Sequence, residues 1–503
     1  MRKKKRKSRT DAYEEEFELE DIEIEDLDEK PVAKKKIRTT EYFIITYLFV
    51  FLMLALMGNL IYYIMKDSET VINNSYNTRQ EILATKNIRG KILSRDGDIL
   101  AQTGRNEQGV EIRYYPYKDM FCHVVGYATK GKSGIELSEN INLLTSNDPI
   151  LVRIQNEVDS VKNYGDNVVT TLNVGLQRAC YEALGAYNGA IVVSDPKTGE
   201  ILAMVSKPGY DPNEISSIWD KLINDKESSV LLNRATQGLY PPGSTFKIVT
   251  ALEYYRENGQ DVSGYHYQCN GSFVYNGDRI NCYHGSSHGS EDLKKSFEKS
   301  CNASFANIGI GLDVGKLQDT CEELLFNRNL PYDMPFNKSS FVLKDSDDSY
   351  DVMQTSIGQG KTQITPLHLN LITNAIANGG EVEYPYLVSR IENYSGRLIK
   401  NCEVSKSQRI MTKAEADFLT DLMQGVVENG TGTKLKGLSY TAAGKTGSAE
   451  YNGEKSDSHA WFTGFAPVED PKISVTVIVE GAGSGGDYAV PMAKRIFDEF
   501  FSQ

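Results

Sequence analysis

The sharpest chemical signal in the sequence is a serine followed three positions later by a lysine, in PPGSTFK (241–247). The prolines and glycine end any earlier element, and IVTALEYYRENG then predicts a helix from Ser244 to about Asn258, with Gly259 as its stop. Residues three apart share a helix face, which puts Lys247 one turn from the Ser244 hydroxyl. A desolvated lysine can accept the proton of a serine nucleophile, and free N–H groups at a helix start favour an oxyanion.

Two further elements could complete such a site. Ser300-Cys301-Asn302 pairs a hydroxyl with an amide, and Lys445-Thr446-Gly447, within AAGKTGSAE, offers a cation and a hydroxyl to a carboxylate where glycine lets a ligand approach a strand. Each element alone has a structural explanation, as a helix cap, a surface lysine or an exposed strand end. Their occurrence together, as helix start, helical region and strand, makes the set specific.

Other readings of these residues are weaker. A GKT run occurs at 360–362 and again at 444–446, but a phosphate loop needs a glycine five positions before the glycine of GK, where this chain has Thr355 and Ser439. Trp461 and Phe462 are predicted to be core residues. For Tyr240, just before the nucleophile motif, lining a cleft and packing are equally good interpretations.

The first predicted element along the chain is an apolar stretch from Phe43 to Met65, FIITYLFVFLMLALMGNLIYYIM. At about 1.5 Å of rise per residue, a helix of this length crosses a hydrocarbon core of about 30 Å. The stretch carries no charge, and no small-residue cleavage pattern closes it. We therefore predict an uncleaved single-pass transmembrane anchor over residues 42–65.

Charge predicts the orientation of this anchor. Lys34, Lys35, Lys36 and Arg38 precede it, and short basic flanks stay in the cytoplasm. Residues 1–41, with basic and acidic blocks, are predicted to be a disordered cytoplasmic tail, which places everything after the anchor outside the cell. The net charge of -13 argues against nucleic acid as a partner.

Two regions follow the anchor. Residues 66–165 show short extended pieces and turns, which favour a β-rich membrane-proximal spacer, or pedestal. Residues 166–503 predict an α+β domain with helices packed on an antiparallel sheet, and its helical middle runs from Ser244 to about Asn378. The predicted elements outside that middle are two strands in 190–193 and 201–205 around a turn, a three-strand antiparallel run of TAAGKTGSAE, HAWFTGFAP and the half-buried ISVTVIVE, and an amphipathic helix from Ala489 to Phe501.

The seven cysteines are too few and too scattered for a disulfide framework. Cys269 and Cys282 flank a predicted hairpin, CNGSFVYNGDRINC, and whether they pair stays open at this point. None of the cysteines shows metal-ligand spacing. His284 and His288 fall in a Gly/Ser loop, where a zinc pair is not favoured, so we predict no metal and no cofactor.

With the three motifs in place, the sequence resembles the class B penicillin-binding proteins from the anchor to the last helix. Its compact spacer is similar to the pedestal, or dimerisation-type domain, of the short PbpA-like forms. Cys301 in place of aspartate favours transpeptidases over class A β-lactamases. Besides AAGKTGSAE, the resemblance rests on RGKILSRDGDILA, HVVGYATKGKSGIE, TLNVGLQRACYEAL, AIVVSDPKTGEILAMVSKPGYDPN, NRATQGLYPPGSTFK and SIGQGKTQITPLH.

This resemblance implies the penicillin-binding/β-lactamase-like transpeptidase fold and a peptidoglycan D,D-transpeptidase. Such an enzyme cross-links stem peptides through an acyl-serine formed on D-Ala-D-Ala donors, which β-lactam antibiotics mimic. It implies that Ser244 is acylated, that Lys247 takes its proton and that Ser300 relays protons to the leaving and entering amines. Asn302 would hold the substrate amide and Lys445 would tune the network.

The strand motif has implied roles of its own. Thr446 and Ser448, beside Gly447, would contact the terminal carboxylate of the substrate, and the backbone N–H groups of Ser244 and Ser448 would form the oxyanion hole. Class B enzymes typically work with a polytopic SEDS-type glycosyltransferase in the membrane. The anchor and residues 66–165 are the predicted docking surface for that partner.

Four other functions compete with this one. A D,D-carboxypeptidase shares the motifs and uses water as the acceptor, so it is the nearest alternative. A bifunctional enzyme needs a glycosyltransferase domain of about 200 residues before Ser244, and only the short spacer is present. A sensor needs a signalling module that the cytoplasmic tail is too short to form, and a pure scaffold needs no intact motif set. The sequence leaves open whether the protein serves elongation, division or sporulation.

Overall fold

The computed structural model describes residues 39–72, 78–225, 228–450 and 458–502. Nearly all of the tail predicted to be disordered lies outside the described residues. The chain consists of two structural units, Met1–Ser68 and Glu69–Gln503. A single helix, α1 (Thr39–Ile72), carries the predicted anchor, and its segment Thr40–Ile64 has a mean hydropathy of 2.3 with none of it buried. This segment is long and apolar enough to cross a membrane.

The remaining α-helices lie in the second unit. Their bounds are α2 (Thr78–Lys86), α3 (Cys122–Val125), α4 (Gly134–Ser138), α5 (Asn140–Leu144), α6 (Ile150–Val158), α7 (Val174–Leu184), α8 (Ile215–Asn224), α9 (Lys247–Glu257), α10 (Leu293–Glu298), α11 (Asn302–Gly311), α12 (Val314–Glu323), α13 (Ser349–Ser356), α14 (Pro366–Ala377), α15 (Lys413–Asn429) and α16 (Ala489–Ser502). Short 3-10 turns occupy Lys118–Phe121, Gly243–Phe246, Tyr283–Gly285 and Thr433–Leu435.

The strands form two main sheets and several short pairs. Their bounds are β1 (Asn87–Ile88), β2 (Ile92–Leu93), β3 (Ile99–Arg105), β4 (Glu111–Tyr114), β5 (Asn163–Tyr164), β6 (Asn167–Thr170), β7 (Gly189–Ser194), β8 (Ile201–Lys207), β9 (Tyr267–Cys269), β10 (Ser272–Tyr275), β11 (Asp278–Asn281), β12 (Gly289–Glu291), β13 (Glu381–Glu383), β14 (Val388–Glu392), β15 (Leu398–Asn401), β16 (Ser407–Arg409), β17 (Ala443–Glu450), β18 (Ser458–Ala466) and β19 (Ile473–Val479).

The larger domain is built on a five-stranded sheet in the order β17-β18-β19-β7-β8, and every neighbouring pair is antiparallel. Helices α7 and α16 cover one face of the sheet, and α14 packs on the other. The predicted α+β class, the β7–β8 pair, the three-strand antiparallel run and the terminal amphipathic helix are all confirmed. The sheet presents β17, with the KTG motif, at one edge.

The prediction that β19 is half-buried is wrong. All its residues are buried, because its polar positions face α14 instead of water. Ser474 Oγ accepts a hydrogen bond from the Asn370 amide at 3.1 Å, and Thr476 Oγ1 lies 2.7 Å from Thr463 Oγ1. The alternation of ISVTVIVE therefore separates an apolar core layer from a hydrogen-bonded one.

A second sheet in the second unit has six strands, in the order β15-β14-β6-β2-β3-β4. Strands β14 and β15 reach it from beyond the helical middle of the chain. The short helices α2 to α6 accompany the sheet, so this region is mixed in structure. At its centre, Glu136 is fully buried between Arg89 and Arg113, whose Nε atoms lie 2.6 and 2.7 Å from its carboxylate oxygens.

The helical middle includes more β-structure than predicted. The predicted hairpin is confirmed as the antiparallel pair β10–β11, and β9 pairs with β12 around it. These strands follow α9 and lead into α10 and α11. Strands β9, β10 and β11 contact α11, and the Asn281 carbonyl accepts a hydrogen bond from Asn302, so this β-structure lies beside the Ser300 turn.

Candidate active site

Ser244 lies in a tight turn at the start of a helix. The 3-10 turn Gly243–Phe246 leads directly into α9, which ends at the C-cap Asn258. The predicted helix is present, although its first turn is 3-10 and begins one residue earlier, at Gly243. Ser244 is half-buried and the other residues of this turn are buried, so the serine is the most accessible residue of the turn.

The Ser244 turn packs against strand β17 at two glycines. At Gly243, φ is +54°, which glycine adopts without strain, and a Cβ there would lie 2.7 Å from the Ser448 carbonyl oxygen. At Gly447, a Cβ would lie 3.1 Å from the Pro242 carbonyl oxygen. Larger residues would push the turn and the strand apart. The two glycines therefore keep the backbones of Ser244 and Ser448 close.

Lys247 is fully buried, and its amine is held by the turn between α10 and α11. Nζ donates to the Ser300 carbonyl oxygen and to Asn302 Oδ1, both at 2.7 Å, and lies 3.3 Å from Ser300 Oγ. Burial disfavours the charged form and lowers the pKa of Lys247 to about 8. A lysine with such a pKa can act as a base near neutral pH.

Ser300 occupies a strained turn between α10 and α11. Its φ of +54° lies in the left-handed region, which costs a non-glycine residue about 1–3 kcal/mol. The Ser300 N–H donates to the Phe297 carbonyl oxygen at 3.1 Å. Asn302, the first residue of α11, donates its amide to the Asn281 carbonyl oxygen at 3.1 Å. Contacts on both sides thus hold the turn in this conformation.

Lys445 links strand β17 to the same network. It is fully buried, and its Nζ donates to Ser300 Oγ at 2.9 Å and to the Thr446 carbonyl oxygen at 3.0 Å. Burial lowers the pKa of Lys445, and the charge of Lys247 lowers it further. The structure therefore brings Lys247, Ser300, Asn302 and Lys445, four residues singled out in the sequence, into one hydrogen-bonded network.

Thr446 and Ser448, the predicted carboxylate ligands, make separate contacts. Thr446 Oγ1 lies 2.5 Å from Thr431 Oγ1, and Ser448 Oγ accepts a hydrogen bond from the Gly485 N–H at 3.3 Å. Thr431 and Gly485 were not predicted from the sequence, because they lie in loops where no motif distinguishes them. The hydroxyls of Thr446 and Ser448 both lie on the edge strand β17, beside the Ser244 turn.

The aromatic residues near the site have packing roles. Trp461 and Phe462 are fully buried, as predicted, and Trp461 Nε1 donates to the Pro241 carbonyl oxygen at 3.1 Å. Tyr240 is also buried, and its hydroxyl donates to Glu480 at 2.7 Å. These contacts fix the chain that enters the Ser244 turn.

Three cysteines and a histidine meet beside the Ser300 turn. The ligand atoms of Cys269, Cys282, His288 and Cys301 all lie within 4.8 Å of one another. The prediction of no metal site did not anticipate this cluster, because its members come from separate elements. The only signal in the sequence is the regular pattern C-x12-C-x5-H-x12-C. Cys269 and Cys282, whose pairing was left open, are free thiols with their sulfurs 3.7 Å apart.

Comparison with known proteins matches both parts of the second unit. Residues 189–498 match the penicillin binding protein transpeptidase domain, and residues 89–168 match the penicillin binding protein A dimerisation domain. The peptidoglycan D,D-transpeptidase PbpA of Mycolicibacterium smegmatis is 30% identical over 433 residues, which are 81% of this chain and 87% of that protein. The peptidoglycan D,D-transpeptidase MrdA of Haemophilus influenzae is 29% identical over 452 residues, 80% of this chain and 68% of that protein.

Solved structures agree with these matches. The D,D-transpeptidase domain of a peptidoglycan glycosyltransferase from Eggerthella lenta has a TM-score of 0.74 and 29% identity, and covers 83% of this chain and 99% of its own. The imipenem acyl-enzyme complex of penicillin-binding protein A from M. tuberculosis has a TM-score of 0.73 and 28% identity. The match covers 82% of this chain and 99% of that chain. The resemblance and the fold class predicted from the sequence are confirmed.

Proposed function

The chain belongs to the family of penicillin-binding protein transpeptidases, and from this premise we propose that it is a peptidoglycan D,D-transpeptidase with Ser244 as its nucleophile. The observation that carries the proposal is the buried Lys247, one turn after Ser244, whose Nζ is fixed by Ser300 and Asn302. The donor substrate is the D-Ala-D-Ala end of a stem peptide, which β-lactams mimic. Relatives support this, since penicillin-binding protein A from M. tuberculosis forms acyl-enzyme complexes with imipenem and penicillin G.

Acylation begins when the neutral amine of Lys247 accepts the hydroxyl proton of Ser244. The Ser244 oxygen then attacks the carbonyl carbon of the penultimate D-Ala, and the carbonyl electrons move to oxygen. Backbone N–H groups of Ser244 and Ser448, which the close packing at Gly243 brings near each other, stabilise that oxyanion. When the intermediate collapses, the C–N bond breaks and the terminal D-Ala leaves as an amine.

The leaving amine needs a proton, and Ser300 is placed to deliver it. Its hydroxyl lies 3.3 Å from Lys247 Nζ and 2.9 Å from Lys445 Nζ, so a proton taken up by Lys247 passes through Ser300 Oγ to the amine. The acceptor amine of a second stem peptide reverses this path. It attacks the ester carbon and loses a proton through Ser300 to Lys247. The bond from the ester carbon to the Ser244 oxygen then breaks as the new peptide bond forms, and Lys247 returns the proton to that oxygen.

Substrate binding uses the edge strand and α11. Thr446 and Ser448 hydrogen-bond to the terminal carboxylate, with Gly447 allowing close approach, and the Asn302 amide binds the peptide backbone of the substrate. Thr431, whose hydroxyl lies 2.5 Å from that of Thr446, orients the Thr446 hydroxyl.

We also place the protein in the cell membrane. Residues 42–65 span the bilayer, residues 1–41 lie in the cytoplasm, residues 66–165 form the pedestal, and residues 166–503 form the transpeptidase domain outside the cell. The apolar segment Thr40–Ile64 and the basic residues before it support this placement. A polytopic SEDS-type glycosyltransferase binds the anchor and pedestal. Co-purification of such a partner should survive Ser244→Ala and fail when the anchor is exchanged, and its complete absence would exclude the partner.

The test of the activity uses the full-length protein in detergent with a fluorescent penicillin, followed by mass spectrometry of the adduct. Stable labelling at Ser244, absent from Ser244→Ala, is expected. Ser263→Ala, on an exposed turn after α9, is the matched control and should label normally. A folded protein that does not label at Ser244 would overturn the proposal.

Reaction with lipid-linked or polymeric peptidoglycan then separates transpeptidation from its nearest alternative. Cross-linked stem-peptide dimers are expected, with release of D-Ala. Release of D-Ala with tetrapeptides and no dimers would assign the chain as a D,D-carboxypeptidase, because water would then be the acceptor.

A further inference from the structure

The strongest unassigned feature of the molecule is the cluster of Cys269, Cys282, His288 and Cys301. Cys269 ends β9, Cys282 follows β11, His288 precedes β12 and Cys301 caps α11. The sulfurs of Cys269 and Cys282 are 3.7 Å apart, those of Cys282 and Cys301 are 3.7 Å apart, and His288 Nδ1 lies 3.4 Å from the Cys269 sulfur. Four potential ligands from four elements thus surround one point.

These three separations match edges of a tetrahedral thiolate site, and all pairs of ligand atoms lie within 4.8 Å. With zinc–sulfur bonds of about 2.3 Å, the edge between two sulfurs of a tetrahedron is about 3.8 Å, and an edge from sulfur to nitrogen is about 3.5 Å. A disulfide instead requires a sulfur–sulfur distance of about 2.05 Å and uses only two of the three thiols. Three cysteines and one histidine are a ligand set typical of structural zinc.

The surroundings of the cluster also suit thiolates. Each sulfur accepts a backbone N–H: Gly271 donates to Cys269 at 3.5 Å, Ala303 to Cys282 at 3.4 Å and Ser304 to Cys301 at 3.4 Å. Such hydrogen bonds stabilise metal-bound sulfur and orient it. The three cysteines are buried, whereas His288 is half-buried beside the exposed loop 283–287, which provides a path for an ion to enter.

We propose that Cys269, Cys282, His288 and Cys301 bind one Zn²⁺ and that this site positions the turn carrying Ser300 and Asn302. Four protein ligands fill the tetrahedral coordination sphere, so the ion is structural and takes no substrate. Cys301 stands between Ser300 and Asn302, the two residues that hold the Lys247 amine. The metal fixes the strained backbone at Ser300 by anchoring the next residue. This positioning role rests on the proposed function, whereas zinc binding itself does not.

The first experiment measures metal in the full-length protein, purified in detergent without chelators, by inductively coupled plasma mass spectrometry. About one zinc per chain is expected, and Cys282→Ser and His288→Ala should lose most of it. His284→Ala, in the same loop, and Cys402→Ser, elsewhere in the chain, are matched controls that should keep it. A zinc content unchanged by the ligand variants, or a disulfide among these cysteines in the native protein, would overturn the site.

If a ligand variant fails to fold, metal binding is tested on the wild-type protein instead. After removal of zinc under reducing conditions, added Co²⁺ should give the near-ultraviolet charge-transfer band of cobalt–thiolate bonds and the visible bands of a tetrahedral site. Protein that takes up neither Zn²⁺ nor Co²⁺ would refute the proposal.

The positioning role has its own measurement. Removing zinc should lower the rate of acylation by penicillin about 10- to 100-fold while circular dichroism stays unchanged, and added Zn²⁺ should restore the rate. Acylation that is unaffected by zinc removal would refute positioning. Zinc bound to a chain that never reacts with penicillin would instead reject the proposed function alone, and full acylation of a chain that binds no metal would reject this inference alone.

Discussion

The amine of Lys445 donates a hydrogen bond to the Ser300 hydroxyl at 2.9 Å, across 145 positions of the chain. This contact ties the edge strand β17 to the turn between α10 and α11. Because Lys247 Nζ lies 3.3 Å from the same hydroxyl, Ser300 stands between two buried lysines. A hydroxyl in that position can accept a proton from either amine or donate one to it.

Replacing Lys445 by glutamine should slow acylation about 10²- to 10³-fold, because the Ser300 hydroxyl loses the amine that donates to it and orients it for proton transfer. The measurement is the second-order rate of reaction with a fluorescent penicillin. Lys472→Gln, at an exposed position beyond β18, is the control and should react at the wild-type rate. Equal rates for the two variants would show that Lys445 is not part of the relay.

The acylation rate should rise with pH through about 8, the lowered pKa of Lys247. Only the neutral amine accepts a proton, so below this pKa the reactive fraction falls about tenfold per pH unit, and above it the rate levels off. The rate is measured from about pH 6 to about pH 10. Lys247→Arg stays protonated throughout and should be slow without this rise. A wild-type rate that does not change over the range would exclude Lys247 as the base.

The local parts of this site could be predicted from the sequence, and the distant parts could not. Ser244 and Lys247 are three apart on one helix, so helical geometry alone relates them. Lys445 and Ser300 lie far apart in sequence, and nothing in their spacing indicates a contact. Their motifs singled them out, but their roles were implied only by the family resemblance. The roles assigned to these residues stay predictions until they are measured.

The cysteine cluster is a second set of residues whose proximity could not be predicted from the sequence. Its ligands come from β9, β11, a loop and α11, and no pair has the short spacing by which metal sites are recognised along a chain. The four ligands come together because β9 pairs with β12 and β10 pairs with β11. Of these two pairings, only the β10–β11 hairpin was predicted from the sequence.

Buried polar contacts explain why β19 is fully buried although its sequence predicted one exposed face. The energy of these contacts can be tested. Ser474 contacts Asn370, Asn374 and Ser194 between the sheet and α14. Ser474→Val should lower the free energy of unfolding by about 1–3 kcal/mol, because it removes one hydrogen bond from each of the buried Asn370 and Asn374 amides. Ile478→Val, on the same face, should cost about 0.5–1.5 kcal/mol. Thermal unfolding in detergent compares the two, and a stabilising Ser474→Val would show that simple hydrophobic burial governs this layer.

The close packing of the Ser244 turn on β17 can be tested with two glycines that share a backbone conformation. Gly243 has a φ of +54° and Gly259 a φ of +62°, so alanine strains both positions, by about 1 kcal/mol or more. A Cβ at Gly243 would lie 2.7 Å from the Ser448 carbonyl oxygen, whereas a Cβ at Gly259 meets no atom within 4 Å. Both variants should therefore lose stability, but only Gly243→Ala should also displace Ser244 from the strand.

We expect Gly243→Ala to acylate about 10²-fold more slowly, because small displacements of reacting groups carry penalties of that order. Gly259→Ala should keep the wild-type acylation rate in spite of its lower melting temperature. The two rates are compared at a temperature where both proteins are folded, as judged by circular dichroism. If Gly243→Ala reacted as fast as Gly259→Ala, the contact between the turn and the strand would have no part in placing the nucleophile, and the oxyanion hole would have to be sought away from Ser448.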